Sequence, residues 1–207
     1  MKTKIFSLIA VAAIALGIGN QALADGKNDS VAKNNNEVST VLTNVSKINK
    51  IEVRGNVELY VSDGEADQVK VYNKYYEQSA LVQSQNGVLR ISSYAGQKLV
   101  VWVKSTDLRA ITAYDNAEVR SFGKLSPLDL TVTLNDNAYG KLRVEGYGMN
   151  VILKGRAKAD LAGNVEEGTL RYNRSATMNS TEFAAAHLVR TIDGVTENRK
   201  ADEFAGL

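Results

Sequence analysis

The sequence predicts an all-β domain in which short parallel strands stack as a β-helical solenoid with coils of about 19–21 residues. Two observations predict this fold class. Apolar and polar residues alternate along short runs rich in valine, isoleucine and tyrosine, which is the period of a β-strand. A pattern of about twenty residues also recurs through the second half of the chain. Residues 181–189, "TEFAAAHLV", are the one helix candidate.

Residues 1–24 have the layout of a secretory signal peptide. Lys2 and Lys4 precede an apolar run, and Ala22 and Ala24 form a small-residue cleavage site. The run is shorter than the ~20 residues that span a bilayer. We therefore expect export, removal of this segment and no transmembrane segment in the mature chain. The expected location is the periplasm, the cell surface or the medium around a bacterial cell.

The mature chain divides by texture into an Asn-rich, flexible leader at residues 25–44, one domain at residues 45–196 and a polar tail at residues 197–207. It contains no cysteine, so its stability depends on a packed core rather than on disulfides. The full chain carries 25 basic and 23 acidic side chains, and two of the basic ones lie in residues 1–24. Because the mature chain is formally neutral, we expect no nucleic-acid partner.

The recurring pattern aligns four copies of an apolar strand followed by a bend. The first inward positions, at steps of 21, 19 and 19 residues, are Ile111, Val132, Val151 and Leu170. The bend residues are Asp115, Asp136, Gly155 and Arg174. Two residues after each bend comes an inward alanine, and these are Ala117, Ala138, Ala157 and Ala176. Small side chains at such corners would let the chain turn without opening a cavity.

The polar positions on three successive copies form a candidate ligand surface. Its residues are Tyr114, Asn116, Asn137, Tyr139, Arg156 and Lys158, with Glu118 beside them. Aromatic rings next to amides and charges can contact the faces and hydroxyl groups of sugars, although such a face can also be merely solvated. Trp102, between Val101 and Val103, is expected at the edge of the core, with an exposed sugar platform as the alternative. Residues 72–78, "YNKYYEQ", are expected to form a loop.

Catalytic and metal chemistry find little support in the sequence. Asp115 and Asp136 would lie ~4.8 Å apart on stacked strands, where two carboxylates could bind calcium or act as in polysaccharide lyases and hydrolases. We expect instead that each caps its own bend. His187, the single histidine, has no cysteine and no recognisable serine motif to act with. We therefore predict no catalytic residue, no metal and no cofactor.

Several motifs of the chain resemble the autotransporter adhesin head-GIN domain family. They are "INKIEVRGNVELYV" at residues 48–61, "VKVY" at 69–72, "GVLRIS" at 87–92 and the later "D-N-A" turns. The resemblance extends over residues 45–195. It implies a single-stranded, right-handed parallel β-helix and an exported bacterial protein, and it carries over no catalytic residues.

Together these observations predict an exported, non-enzymatic module of adhesin-like or scaffolding type at the cell envelope. Its expected partner is a glycan or an envelope protein, and self-association through open solenoid ends is a further expectation. The alternative is a small polysaccharide lyase or hydrolase that uses Asp115 and Asp136.

Overall fold

The structure, a computed structural model, describes residues 39–42, 45, 47–72 and 80–200. Side chains are described up to residue 196. Four predicted segments lie wholly or mostly outside the described residues. They are the signal peptide at residues 1–24, most of the leader, the end of the tail at residues 201–207 and most of the loop at residues 72–78. The division of the chain into leader, domain and tail stays a prediction.

The described chain is all-β and forms fourteen strands. They are β1 (Thr40–Leu42), β2 (Lys50–Gly55), β3 (Val57–Asp63), β4 (Gln68–Tyr72), β5 (Ala80–Gln85), β6 (Val88–Ser93), β7 (Leu99–Ser105), β8 (Ala110–Ala113), β9 (Glu118–Ser121), β10 (Asp129–Leu134), β11 (Tyr139–Leu153), β12 (Lys158–Tyr172), β13 (Thr177–Ile192) and β14 (Val195–Lys200). Among these residues there is no helix with the length and apolar character needed to cross a membrane.

Alternation of apolar and polar residues explains why these segments are strands. In β7, the side chains of Leu99, Val101 and Val103 are buried, and those of Val100 and Trp102 between them are only partly covered. A strand turns successive side chains to opposite faces, so one face of each strand joins the core inside the sheet. The other face of each strand is free to form a surface.

The predicted single-stranded, right-handed parallel β-helix is wrong. The described strands form one mixed sheet in which nine strand pairings are parallel and four are antiparallel. Eleven strands follow one another across this sheet, in the order β1-β4-β7-β3-β9-β11-β10-β8-β2-β6-β5. The sheet curls through 303° into a half-barrel.

The reason for the difference lies in the antiparallel pairs β1–β4, β4–β7, β5–β6 and β13–β14. Each of them places neighbouring strands in opposite directions, whereas a solenoid of parallel coils advances in one direction only. The spacing of apolar residues predicts which residues face inward, but it carries no information on strand direction. A prediction based on the spacing of apolar residues therefore did not include the four antiparallel strand pairings.

Within the parallel part of the sheet, the residues that the sequence aligned are direct neighbours. Val132 pairs with Ile111 on β8 and with Val151 on β11, and Val151 pairs with Leu170 on β12. All four side chains are fully buried. The inward direction of these positions is therefore as expected, although the architecture that they help to build is a mixed sheet.

The helix candidate at residues 181–189 is also wrong, because this segment is part of β13. Its residues pair in parallel with β12, from Glu182 beside Ala162 to Val189 beside Thr169. Three consecutive alanines favour a helix in isolation by only a few tenths of a kcal/mol each. Pairing along a strand of 16 residues outweighs that preference.

Candidate binding groove

A groove of about 1000 Å³ lies on the outer surface of the half-barrel, across β3, β9, β11, β12 and β13. Its floor is a row of side chains that the sheet register places side by side, and we call it the floor row: Tyr60, Arg120, Lys141, Asp160 and Asn179. Each of these residues alternates along its strand with inward-facing neighbours. Five adjacent strands at a spacing of ~4.8 Å give the floor row a length of roughly 19 Å.

One wall of the groove is formed by the segment that follows β9. Gly123 and Lys124 lie in this wall, and the Lys124 Nζ is 2.7 Å from a carboxylate oxygen of Glu145 on β11. Backbone hydrogen bonds between Leu125 and β11 attach the segment to the sheet, since the Leu125 N–H donates to the Arg143 carbonyl at 2.9 Å. The groove is thus bounded by backbone that the sheet itself holds in place.

An aromatic cluster lies at the β3 end of the groove, and we call it the aromatic platform: Tyr60, Tyr72, Trp102 and Phe122. The rings of Tyr60 and Trp102 are stacked, with centroids 4.7 Å apart and planes 21° from parallel. Phe122 packs against Trp102 at 4.8 Å and is 58% exposed. Tyr60 belongs to both the aromatic platform and the floor row, so the two surfaces are continuous.

Ion pairs hold Arg120, the second residue of the floor row, in one position. Its Nε donates to Glu58 at 2.9 Å and its Nη2 donates to Glu118 at 2.8 Å. Lys98 Nζ is 2.6 Å from Glu118 on the other side. Burial raises the pKa of Glu118, but the hydrogen bonds from Lys98 and Arg120 outweigh burial and lower the pKa overall. Both carboxylates beside Arg120 are therefore engaged by cations.

Tyr139 and Asp160 form a second polar contact at the floor of the groove. The Tyr139 hydroxyl donates to Asp160 Oδ2, and Asn179 Nδ2 donates to Asp160 Oδ1 at 3.2 Å. Burial, together with the adjacent carboxylate, raises the pKa of Tyr139 to about 12. The guanidinium of Arg120 lies 5.4 Å from the centroid of the Tyr139 ring. Each polar group of this cluster is oriented by a neighbour.

The raised pKa of Tyr139 predicts a late step in an alkaline titration. The folded-state pKa of about 12 exceeds the ordinary value of 10.0, so the hydrogen bond stabilises the fold below pH ~10 and its contribution is lost as the pH rises toward ~12. Ultraviolet titration of tyrosinate should show one tyrosine ionising near this pH. Tyr139→Phe should remove this step, and Asp160→Ala should move it to lower pH. A step that survives in Tyr139→Phe would assign it to another tyrosine.

The predicted ligand residues divide into separate groups in the structure. Asn137 Nδ2 donates to Asn116 Oδ1 at 3.3 Å, and Arg156 Nε donates to Asn137 Oδ1 at 3.1 Å, so these three form a polar ladder along the bends. Tyr139 and Lys158 are direct partners on β11 and β12, next to the floor row. Tyr114, which follows β8, packs instead beneath the Arg54 guanidinium at 3.7 Å from the ring centroid.

Asp115 and Asp136 occupy the bends, but the prediction that each caps its own bend is wrong, because each carboxylate bonds the backbone of another strand connection. Their φ angles are 59° and 60°, a left-handed conformation that aspartate tolerates better than most residues. Asp115 Oδ2 accepts a hydrogen bond from the Gly55 N–H at 3.1 Å, and Asp136 Oδ2 accepts one from the Asp115 N–H at 3.2 Å. Carboxylates directed at neighbouring backbone join one strand connection to the next and leave the enzymatic alternative without support from the geometry.

No group of three or more histidine, aspartate or glutamate side chains in the described part of the chain could hold a metal ion. His187 is exposed on β13, where its register partner on β12 is Glu167.

Trp102 is only partly covered and faces outward in the aromatic platform, so the platform alternative matches its position better than the edge of the core.

The ligand surface predicted from the sequence includes none of the floor-row residues Tyr60, Arg120, Lys141, Asp160 and Asn179. Alternation within each strand identifies all five as outward residues, and this signal was available in the sequence. Their assembly depends on which strands are neighbours, and β3 and β9 are far apart in the chain. No local pattern indicates that Tyr60 lies beside Arg120.

The sequence of the chain matches a known protein family over most of its length. Residues 47–197 match the family described as "Putative auto-transporter adhesin, head GIN domain". The chain belongs to the head GIN domain family. The match confirms the resemblance of the sequence motifs to this family and covers nearly the whole described domain.

The fold of this head GIN domain is similar to those of solved structures from Parabacteroides. A "putative adhesin" from Parabacteroides merdae is 19% identical, with 75% of this chain and 77% of that chain covered and a TM-score of 0.58. A "putative adhesin" from Parabacteroides distasonis is 16% identical, with 75% and 77% covered and a TM-score of 0.56. A "putative lipid binding protein" from the same species is 12% identical, with 77% and 79% covered and a TM-score of 0.58. No curated protein matches the chain. The similarities concern the fold, and the family and these structures are described as adhesins or binding proteins rather than as enzymes.

Proposed function

We propose that this head GIN domain is an exported, non-enzymatic binding module that recognises an extended glycan at the bacterial cell envelope. The observation that carries the proposal is the continuity between the stacked Tyr60–Trp102 pair and the floor row of the groove. A platform of aromatic rings leading into a row of hydrogen-bonding side chains matches the two kinds of surface that a sugar chain presents.

The chemistry of sugars fits both parts of this surface. The apolar C–H face of a pyranose ring packs on an aromatic ring, and the aromatic platform offers the partly exposed Trp102 and the exposed Phe122. Sugar hydroxyl groups both donate and accept hydrogen bonds, and Asp160 and Asn179 supply acceptors and donors in the floor row. A floor of roughly 19 Å is long enough for an oligosaccharide rather than a single sugar.

The polar side chains of the groove are already held in place before a ligand arrives. Arg120 is fixed between Glu58 and Glu118, and Asp160 is fixed between Tyr139 and Asn179. A preorganised site loses less side-chain entropy on binding than a flexible one. This rigidity supports recognition of a ligand and is more than solvation of a polar face requires.

The cellular location is part of the proposal. Residues 1–24 have the composition of a signal peptide, and membership of an adhesin family agrees with exposure at the envelope. An envelope protein as partner and self-association of the domain stay predictions.

Trp102→Ala tests the proposed function directly. Loss of the stacking surface should weaken binding to any glycan that the wild-type domain retains on a glycan array by about tenfold, which corresponds to ~1.4 kcal/mol. Affinity electrophoresis in gels that contain the selected polysaccharide measures the change. Circular dichroism verifies that the variant remains folded.

Tyr94→Ala is the matched control for this experiment. Tyr94 is 73% exposed, and its hydroxyl contacts Asp115 at the bends rather than the groove. We expect its glycan affinity to equal that of the wild type. Equal losses in both variants, or no glycan retained by the wild-type domain on the array, would contradict the proposal.

A further inference from the structure

We infer that the groove selects anionic glycans and that Lys141 binds their charged group. This inference rests on the proposed function and names the class of glycan. Lys141 is the central residue of the floor row, between Arg120 on β9 and Asp160 on β12. A ligand that lies along the floor must pass over its ammonium group.

Ion pairs within the protein engage four of the charged side chains that line the groove, namely Arg120, Lys124, Arg143 and Glu145. Arg120 is paired with Glu58 and Glu118 at 2.9 and 2.8 Å. Lys124 is 2.7 Å from Glu145, and this carboxylate also faces Arg143 at 3.9 Å. Arg120 therefore has little capacity left for a ligand. Lys124 and Arg143 share one carboxylate, so this pair leaves one positive charge in excess beside the floor row.

Lys141 differs from these cations. Within the described residues it has neither an ion pair nor a hydrogen bond from its side chain, although it is exposed in the floor of the groove. Asp160, its register partner, accepts hydrogen bonds from the uncharged Tyr139 and Asn179 side chains and forms no ion pair with Lys141 among the described residues. An ammonium group with three free donors is a point charge that carboxylate or sulfate oxygens can contact from several directions.

A second cation strengthens the positive field at this place. Lys158 on β12 is exposed and lies beside Tyr139 of β11. Among the residues that the structure describes, Lys158 also has no ion pair. Two acids that line the groove have no ion pair among the described residues. Asp160 lies directly beside Lys141, and its charge is also offset by Lys158, two residues before it on β12. Glu182 on β13 is two strands from Lys141, ~9.6 Å across the sheet and beyond the Debye length of ~8 Å at physiological salt, so it offsets Lys141 only weakly.

The groove therefore has an uncharged end and a charged middle. The aromatic platform lies at the β3 end, and the middle of the floor carries the exposed ammonium group of Lys141. A glycan that carries carboxylate or sulfate groups can pack one sugar on Trp102 and place an anionic group over Lys141. A neutral glycan can use the aromatic platform and the hydrogen-bonding groups of the floor row, but it gains nothing from the charge of Lys141.

Two matched pairs of polysaccharides test the inference with the mature chain. One pair is polygalacturonate and its methyl ester, in which a methyl group on each carboxyl removes the negative charge. The other pair is dextran sulfate and dextran, which differ in sulfate. We expect the wild-type domain to bind the anionic member of at least one pair about fivefold more tightly than its neutral member at low salt. The preference should shrink as salt is added.

Lys141→Gln should abolish this preference by lowering the affinity for the anionic member to that for the neutral member, because glutamine can still form hydrogen bonds but carries no charge. Lys154→Gln is the control, because this substitution removes the same net charge. Lys154 is also exposed, but it lies at a bend outside the groove. We expect the control to retain the preference. Equal loss in both variants would attribute the preference to net charge and overturn the role of Lys141.

The outcomes separate this inference from the proposed function. Equal affinity for the charged and neutral members of both pairs, with Trp102→Ala weakening both, would overturn the anionic preference and leave glycan binding intact. Absence of binding to all four polysaccharides, together with an empty glycan array, would contradict the proposed function itself. Preference in the first pair alone identifies carboxylate as the recognised group, and preference in the second alone identifies sulfate.

Discussion

Replacing Gly163 with alanine is expected to lower the free energy of unfolding by about 4 kcal/mol. Gly163 lies in β12 beside Val144 of β11 and has a φ of 109°, a conformation that residues with a side chain rarely adopt. A Cβ atom at this position would lie 2.0 Å from the carbonyl oxygen of Val144. Because that oxygen belongs to backbone, the strands themselves must move apart to relieve the contact.

The position of Gly163 makes such a movement costly. It comes just after the register shift between Asp160 and Ala162, where β12 and β13 pass along the groove. Separation of β11 from β12 would break the ladder that carries Lys141 beside Asp160. We therefore expect the variant to lose glycan binding together with stability.

Denaturant and thermal unfolding measure the effect of Gly163→Ala. A loss of about 4 kcal/mol corresponds to a decrease in Tm of about 8–16 °C for a domain of this size. Gly194→Ala is the control, since Gly194 also has a positive φ, of 84°, but a Cβ there would meet no atom within 4 Å. The control should lose about 1 kcal/mol from backbone strain alone. Equal losses in the two variants would show that the contact with Val144 is unimportant.

Replacing Ala138 with leucine is expected to lower the free energy of unfolding by about 3 kcal/mol. Ala138 is fully buried, and so are Ala117 and Ala157 on either side of it. The Tyr139 N–H donates to the Ala117 carbonyl at 2.9 Å, and the Lys158 N–H donates to the Ala138 carbonyl at 3.0 Å. Three additional carbon atoms have no space between these tightly connected strands, so the bends must open.

Ala176→Leu is the matched control for the alanine column. Ala176 continues the same column after Ala157, since the Thr177 N–H donates to the Ala157 carbonyl at 3.0 Å, but it is only partly buried. The same enlargement there can extend toward solvent and should cost less than ~1 kcal/mol. Chemical denaturation of the two variants in parallel measures the difference. A smaller loss in Ala138→Leu than in Ala176→Leu would contradict the packing argument.

The predicted candidate residues illustrate what alternation can and cannot supply. Asn116, Asn137 and Arg156 face outward as predicted, and hydrogen bonds join them along the bends. Tyr139 and Lys158 lie beside the groove, but the floor row itself was not predicted. Its first two members, Tyr60 on β3 and Arg120 on β9, have five strands between them in chain order, and only the sheet register makes them neighbours.

Strand direction is the other property that the sequence did not predict. A step of about twenty residues is compatible with parallel neighbours, and β8, β10, β11 and β12 are parallel neighbours. The same alternation in β4 and β5 occurs in strands that run antiparallel to their neighbours. An inward apolar residue packs equally well from either direction, so the hydrophobic pattern alone does not distinguish them.

Strand character, the inward positions, the alanine corners and the family follow from the sequence, because each depends on residue type at a local spacing. The curl of the sheet, the mixed strand directions and the groove are decided by tertiary structure, because each depends on hydrogen bonds between strands distant in the chain. The period of a strand determines which face a side chain occupies. Only the order of strands determines that Trp102, Tyr60, Arg120 and Lys141 share one surface.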